Sequence, residues 1–135
     1  ANPLIHVLIR FSVSQCSRRR QVLEQKSIIL GYSARINPNA LGISITTMIH
    51  VNLKNHGANP KHAIHDLIEN EDQILEAFSL SGDADFILKV VAENLDHLSS
   101  FISEKLLACA DISHIKSYIV LKKFKEQNEM LVKTK

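Results

Sequence analysis

The run ISITTMIHVNL, residues 43–53, limits the fold more than any other stretch of the chain. Ile43, Ile45, Thr47, Ile49, Val51 and Leu53 alternate with Ser44, Thr46, Met48, His50 and Asn52. Successive side chains of a strand point to opposite faces, so this period of two predicts a β-strand with one face in a core. A lone strand cannot bury that face, so the rest of the chain must supply neighbouring strands and a covering layer.

The downstream sequence supplies both in a definite order. Asn59 and Pro60 predict a helix start, and Ala63, Ile64, Leu67 and Ile68 form an apolar stripe on the helix that runs to about Asn70. QILEAFSL and DFILKVVA are β-prone runs joined by SGDA, a glycine-containing hairpin loop. Asn94 then caps a longer helix to about Cys109, with Leu95, Leu98, Ile102 and Leu106 on its buried face, and IKSYIVLKKF is the last strand. Strand, helix, strand, strand, helix, strand is the split β-α-β order of a ferredoxin-like α+β fold. Both helices then cover one sheet face. The other face, carrying Met48, stays open unless a second copy covers it, so self-association is expected.

Upstream lies a smaller region. Pro3 suits the first turn of a short helix through NPLIHVLIRF. Ser12 and Gln15 form an S-x-x-Q capping box for a helix from Val13 to about Lys26. Val13, Cys16, Arg20 and Leu23 share one stripe of it, with the Arg20 stem laid along apolar surface, while Arg18 and Arg19 point to solvent or a partner. IILGYSARI reads as a strand and NPNALG as a linker, with the boundary near residues 38–42.

The chain has 135 residues with 45% apolar content, the size of one domain with a small appendage. No apolar run approaches the roughly 20 residues that span a bilayer. Neither the start nor the cysteine usage suggests secretion, so a cytoplasmic protein with Cys16 and Cys109 as reduced thiols is expected. Net charge is only +2, so any nucleic-acid role rests on local clusters such as Arg18, Arg19 and Arg20.

Few residues suggest chemistry. His62 and His65 lie one turn apart, but no third ligand stands near them, and no metal site is expected. A nucleophile elbow, a P-loop and a G-x-G-x-x-G are all absent, which argues against an enzyme and gives no catalytic residue. In SGDAD, residues 81–85, the loop amides can meet a carboxylate and Asp83 or Asp85 an ammonium; equally, Asp and Gly suit a plain β-turn. The arginine-bearing helix has two readings also, phosphate contact or a solvated face.

VLEQKSIILGYSARINPNALG, SLSGDADFILKV and SYIVLKKFKEQNEMLVKTK, taken in that order, resemble the Lrp/AsnC family, the leucine-responsive and asparagine-responsive transcription factors. The resemblance runs from about Phe11 to Lys135. It implies a helix-turn-helix that binds operator DNA, in which Ser14, Gln15, Ser17, Arg18 and Arg19 make the contacts, with a palindromic operator matching twofold protein symmetry. A βαββαβ module that dimerises, assembles to higher oligomers such as octamers and binds a small effector, typically an amino acid, is implied with it. Gly82, Asp83, Asp85 and Ser117 would line the effector site, and no cofactor is implied.

On this reading residues 1–30 are a truncated (winged) helix-turn-helix segment, 31–42 a strand and linker, 43–125 the effector and dimerisation domain, and 126–135 a tail. The helix that precedes this segment in the family is not matched. The competing expectation is therefore an oligomerising effector sensor that does not bind DNA by itself. Two further departures stand out: Ile115 and Ser117 occupy the family's T-x-T pair, and Ser27 stands where a glycine usually follows the arginine helix.

Overall fold

The protein is described here from a computed structural model covering residues 13–54 and 62–126. The expected short helix through residues 3–11, the Ser12 end of the capping box, the Asn59–Pro60 helix start and the tail from residue 127 lie outside the described residues. The chain divides into two units. One includes the described residues 13–35 and 124–126, and the other spans 36–123.

In the first unit α1 spans Val13–Gln25, close to expectation. Its end is a Schellman turn. Ser27 N–H donates to Glu24 O at 3.0 Å and Ile28 N–H to Leu23 O at 2.8 Å, the two bonds that satisfy the last helical carbonyls. That turn needs a left-handed residue, and Ser27 supplies it at φ 58°. Cys16 and Leu23 are half-buried on the expected stripe, whereas Arg20 is exposed with its guanidinium 6.0 Å from the Tyr32 ring centre. The strand expected in IILGYSARI does not form: residues 30–36 have no regular structure, and Leu30, Tyr32 and Ile36 are all exposed. A strand needs a partner for its amides and carbonyls, and no described strand runs beside this one.

The second unit opens on a 3-10 turn, Pro38–Leu41, capped by the Asn37 side chain and closed by Gly42 at φ 76°. Then follow β1 (Ile45–Leu53), α2 (His62–Asn70), β2 (Ile74–Ser79), β3 (Phe86–Ala92), α3 (Leu95–Phe101) and β4 (Ile112–Ile119). The strands form one antiparallel sheet in the order β2-β3-β1-β4, the arrangement expected from the βαββαβ sequence.

Register decides which side chains share a face. Thr47, Ile49 and Val51 stand opposite Val90, Leu88 and Phe86 on β3, and Ile119, Ser117 and Ile115 on β4. With Ile64 of α2 and Leu98 and Phe101 of α3, Ile49, Val51, Leu88 and Val90 of this face form the core, Phe86 and Ile115 pack against it and Ile119 is left exposed, so both helices cover the same side. Each such side chain, fully buried, contributes roughly 1.5–3 kcal/mol. Thr47 is the polar exception. It is fully buried, and its hydroxyl pairs with Ser117 Oγ at 2.8 Å and donates to Tyr118 O at 3.0 Å. Asp111 ties α2 to the sheet, accepting from Ile64 N–H at 3.0 Å.

Three expectations are corrected in this unit. The long helix from Asn94 is α-helical only to Phe101 and continues as a π-helix over Ile102–Leu106, where Leu107 N–H donates to Ile102 O at 2.8 Å. The wider turn puts Phe101 and Leu106, five residues apart, in the core together, while Leu95 is left 60% exposed in the first turn. Ala63, on the expected stripe of α2, is likewise exposed. The last strand, expected over 115–124, runs from Ile112 to Ile119, because its antiparallel pairing begins at the end of β1, opposite Leu53, and runs back to Thr47; Val120 N–H adds a bond to Thr46 O.

The sheet face away from the helices carries Met48, His50, Ile87, Lys89, Phe78 and Tyr118, with Phe78 and Tyr118 both 52% exposed.

Candidate functional site

At one end of this uncovered face the loop between β2 and β3 bends against the sheet and closes a cleft of 390 Å³. That is within the range of about 300–1,000 Å³ usual for small-molecule sites. His50 and Asn52 of β1 and His114, Lys116 and Tyr118 of β4 make the floor, and residues 80–84 make the wall.

Hydrogen bonds hold the wall in place. Asn52 Nδ2 donates to Asp83 O at 2.6 Å. Asp85 N–H donates to Val51 O at 3.0 Å, and Asp85 O accepts from Leu80 N–H at 2.9 Å. The ladder between β1 and β4 shifts register between Asn52 and Leu53, and there the Asp85 carboxylate accepts from Leu53 N–H at 2.8 Å. Gly82 sits at φ 150°, a conformation that side chains disfavour, so the turn suits glycine at this position. On the floor the His50 and Tyr118 rings meet at 5.0 Å between centres, tilted by 59°, and His114 Nδ1 lies 3.4 Å from Ser113 Oγ.

Of the residues singled out in the sequence, Gly82 and Asp83 line the cleft. Asp85 is at the root of the loop with its carboxylate turned to the end of β1, so it shapes the wall. Ser117 is not brought to the cleft. It is paired with Ile49 and bonded to Thr47, on the helix-covered side, and strand alternation turns its neighbours Lys116 and Tyr118 to the cleft instead. His50, Asn52, His114, Lys116 and Tyr118 were not singled out as site residues. The even-numbered face of β1 was legible, but nothing local in the sequence gives the register that sets β4 beside it.

In the first unit Ser17, Arg18 and Arg19 are exposed on consecutive positions of α1. The side chains of Ser14 and Gln15 lie outside the described residues. Tyr32 Oη donates to Glu24 Oε1 at 2.7 Å. That bond holds the phenol's pKa above its ordinary value, desolvation and the carboxylate's charge act in the same direction, and Arg20 opposes them. Among the described residues no three His, Cys, Asp or Glu side chains group as metal ligands, and His65 is exposed. Among these residues, too, no helix is long and apolar enough to cross a membrane.

Comparison with known proteins gives a consistent answer. The family model described as the Lrp/AsnC ligand binding domain matches residues 46–130. A leucine-responsive regulatory protein of Rhizobium meliloti is 30% identical over 118 residues, covering 87% of this chain and 76% of that protein. Among solved structures, a transcriptional regulator of Neisseria meningitidis in complex with L-Met superposes with a TM-score of 0.82 at 23% identity, over 89% of this chain and 77% of that one. A feast or famine regulatory protein of M. tuberculosis complexed with L-methionine gives 0.76 at 24% identity, over 90% and 80%.

Proposed function

The chain belongs to the Lrp/AsnC family, and on that basis we propose that it is a transcriptional regulator that binds operator DNA as an oligomer and is modulated by an amino acid held in the cleft under the β2–β3 loop. The observation that carries this reading is the cleft itself. A glycine-bearing loop, tied to β1 by Asn52 and Asp85, presents Asp83 beside exposed turn amides, a combination that suits an ammonium and a carboxylate. Two family members of similar fold were solved with L-Met or L-methionine, which supports an amino acid as the class of ligand.

Gly82 and Asp83 contact the ligand in this proposal, and Asp85 holds their loop in position. Ser17, Arg18 and Arg19 on the exposed side of α1, with Ser14 and Gln15 at its start, meet DNA in the manner of a recognition helix, the arginines on phosphates or base edges. The uncovered sheet face with Phe78, Ile87, Met48 and Tyr118 is the surface for a second copy, and dimers assemble further into rings such as octamers. A regulator of this kind works in the cytoplasm and catalyses no reaction.

Gel-shift titration with a candidate palindrome, at several salt concentrations and with and without amino acids, tests the proposal. The expected result is a retarded complex whose affinity falls with salt and changes when an amino acid is added. Arg18→Ala should reduce the salt slope by about 1 if that side chain neutralises one phosphate. Failure to retard any operator-like DNA, combined with intact amino-acid binding, would leave an effector sensor without DNA affinity and overturn the first half of the proposal.

A further inference from the structure

The basic side chains of the cleft lie together on its floor, apart from the one carboxylate of its wall. His50 and Lys116 stand directly opposite each other on adjacent antiparallel strands, and His114 follows on the same face opposite Asn52. Directly opposed side chains of this kind have Cβ atoms roughly 4.5–5.5 Å apart, so both can reach one group seated above them. Asp83 is the carboxylate of the cleft lining, and it belongs to the wall. Among the described residues no carboxylate forms a salt bridge with Lys116.

With its ammonium on Asp83 and its carboxylate on the turn amides, the pairing proposed above, an amino acid with an uncharged side chain uses only the groups of the wall and leaves the Lys116 ammonium on the floor without an anion. A second negative group on the ligand, directed at the floor, removes the mismatch. Charge-assisted hydrogen bonds from an ammonium and imidazoles to a carboxylate are also stronger than neutral ones.

We propose that the ligand of this cleft is an α-amino acid bearing a second carboxylate, the aspartate and glutamate class, with its side-chain carboxylate seated over the His50–Lys116 pair. This rests on the reading of the cleft as an amino-acid site and adds the specificity that the floor imposes. Lys116 is the selecting charge, and His50, held against Tyr118, and His114, beside Ser113, donate to the same group.

The test is calorimetric titration of the whole chain with L-glutamate, L-aspartate, L-glutamine, L-asparagine and L-methionine, and with glutarate, which has both carboxylates and no ammonium. At least one acidic amino acid should bind about tenfold or more tighter than its amide, since the two differ only in the group facing the floor. Lys116→Gln should abolish that preference, and Lys116→Arg should retain it. Thermal unfolding of each variant checks that the sheet is intact. Glutamine, asparagine or methionine binding as tightly as the acids would overturn the acidic specificity while sparing the amino-acid reading, as would a Lys116→Gln variant that weakens all ligands alike. Glutarate binding as well as glutamate would remove the role of Asp83 and the amino-acid reading with it. Binding of none of them would overturn both.

Discussion

Replacing Asp85 by alanine tests how the cleft wall is held. The Asp85 carboxylate accepts from Leu53 N–H at 2.8 Å, and Leu53 is only 3% exposed, at the point where the β1–β4 ladder shifts register. Deleting the carboxylate leaves that amide without its acceptor in a place water reaches poorly. Hydrogen bonds to charged groups contribute about 1.5–3 kcal/mol each. Asp85 is itself half-buried, so the lower part of this range applies, about 1.5–2 kcal/mol. The backbone bonds of Asp85 to Val51 and Leu80 need no side chain and should survive. In a domain of this size the loss corresponds to a fall in melting temperature of roughly 6–16 °C. Urea unfolding followed by circular dichroism at fixed protein concentration is the assay, since oligomerisation makes apparent stability depend on concentration. Asp85→Asn retains a neutral acceptor and should lose less, on the order of 0.5–1 kcal/mol. Amino-acid affinity should fall with stability in the alanine variant, because the wall carrying Gly82 and Asp83 is anchored at this residue. An alanine variant within about 0.5 kcal/mol of the parent, the scatter of ordinary surface substitutions, would refute the reasoning.

Ser27→Gly should stabilise the end of α1, since a left-handed residue other than glycine costs about 1–2 kcal/mol and the entropy glycine adds to the unfolded chain returns about half of that. Amide exchange at Ile28 should slow by about fivefold, and unchanged exchange would mean that Ser27 bears no strain. The Tyr32–Glu24 bond sets a pH dependence. A phenol whose native pKa lies above the unfolded value near 10 adds stability at lower pH and loses it as pH rises through the native pKa. Glu24→Gln should bring the Tyr32 titration, followed by isotope-edited NMR of its ring, back toward the ordinary value; an unshifted titration would count against the hydrogen bond. Thr47→Val should cost about 1 kcal/mol in urea unfolding, because Tyr118 O loses its side-chain donor while exposed Ser117 rehydrates. No loss would show that Thr47 contributes only its volume.

Local patterns were sufficient for most of the elements. The alternation in residues 43–53 marked β1 and both of its faces, and Asn94 marked the start of α3. The glycine-bearing loop marked the β2–β3 hairpin and with it the wall of the cleft. Local pattern misled where a partner or a neighbouring turn intervened. IILGYSARI has the composition of a strand but no strand beside it, and Leu95 keeps the helical spacing of Leu98 yet precedes the turn that packs. Phe101 keeps an ordinary helical spacing from Leu98, and the stripe drawn through Ile102 instead passes it by; the π-helix that follows then brings Leu106 into the core with it.

The family follows from motif order along the chain alone, and so do the strand and helix order and the identity of the loop that closes the cleft, since each is written in residues close together in sequence. The cleft floor is different. That Lys116 and Tyr118 face it and Ser117 does not, and that His50 meets Lys116 across two strands, depends on a register between segments more than sixty residues apart. Strand side chains alternate, so a shift of β4 by one residue in that pairing would exchange its members of the floor for their neighbours while His50 and Asn52 of β1 stayed, and only the packing of Ile112 and Ile115 against the core selects one register over the other.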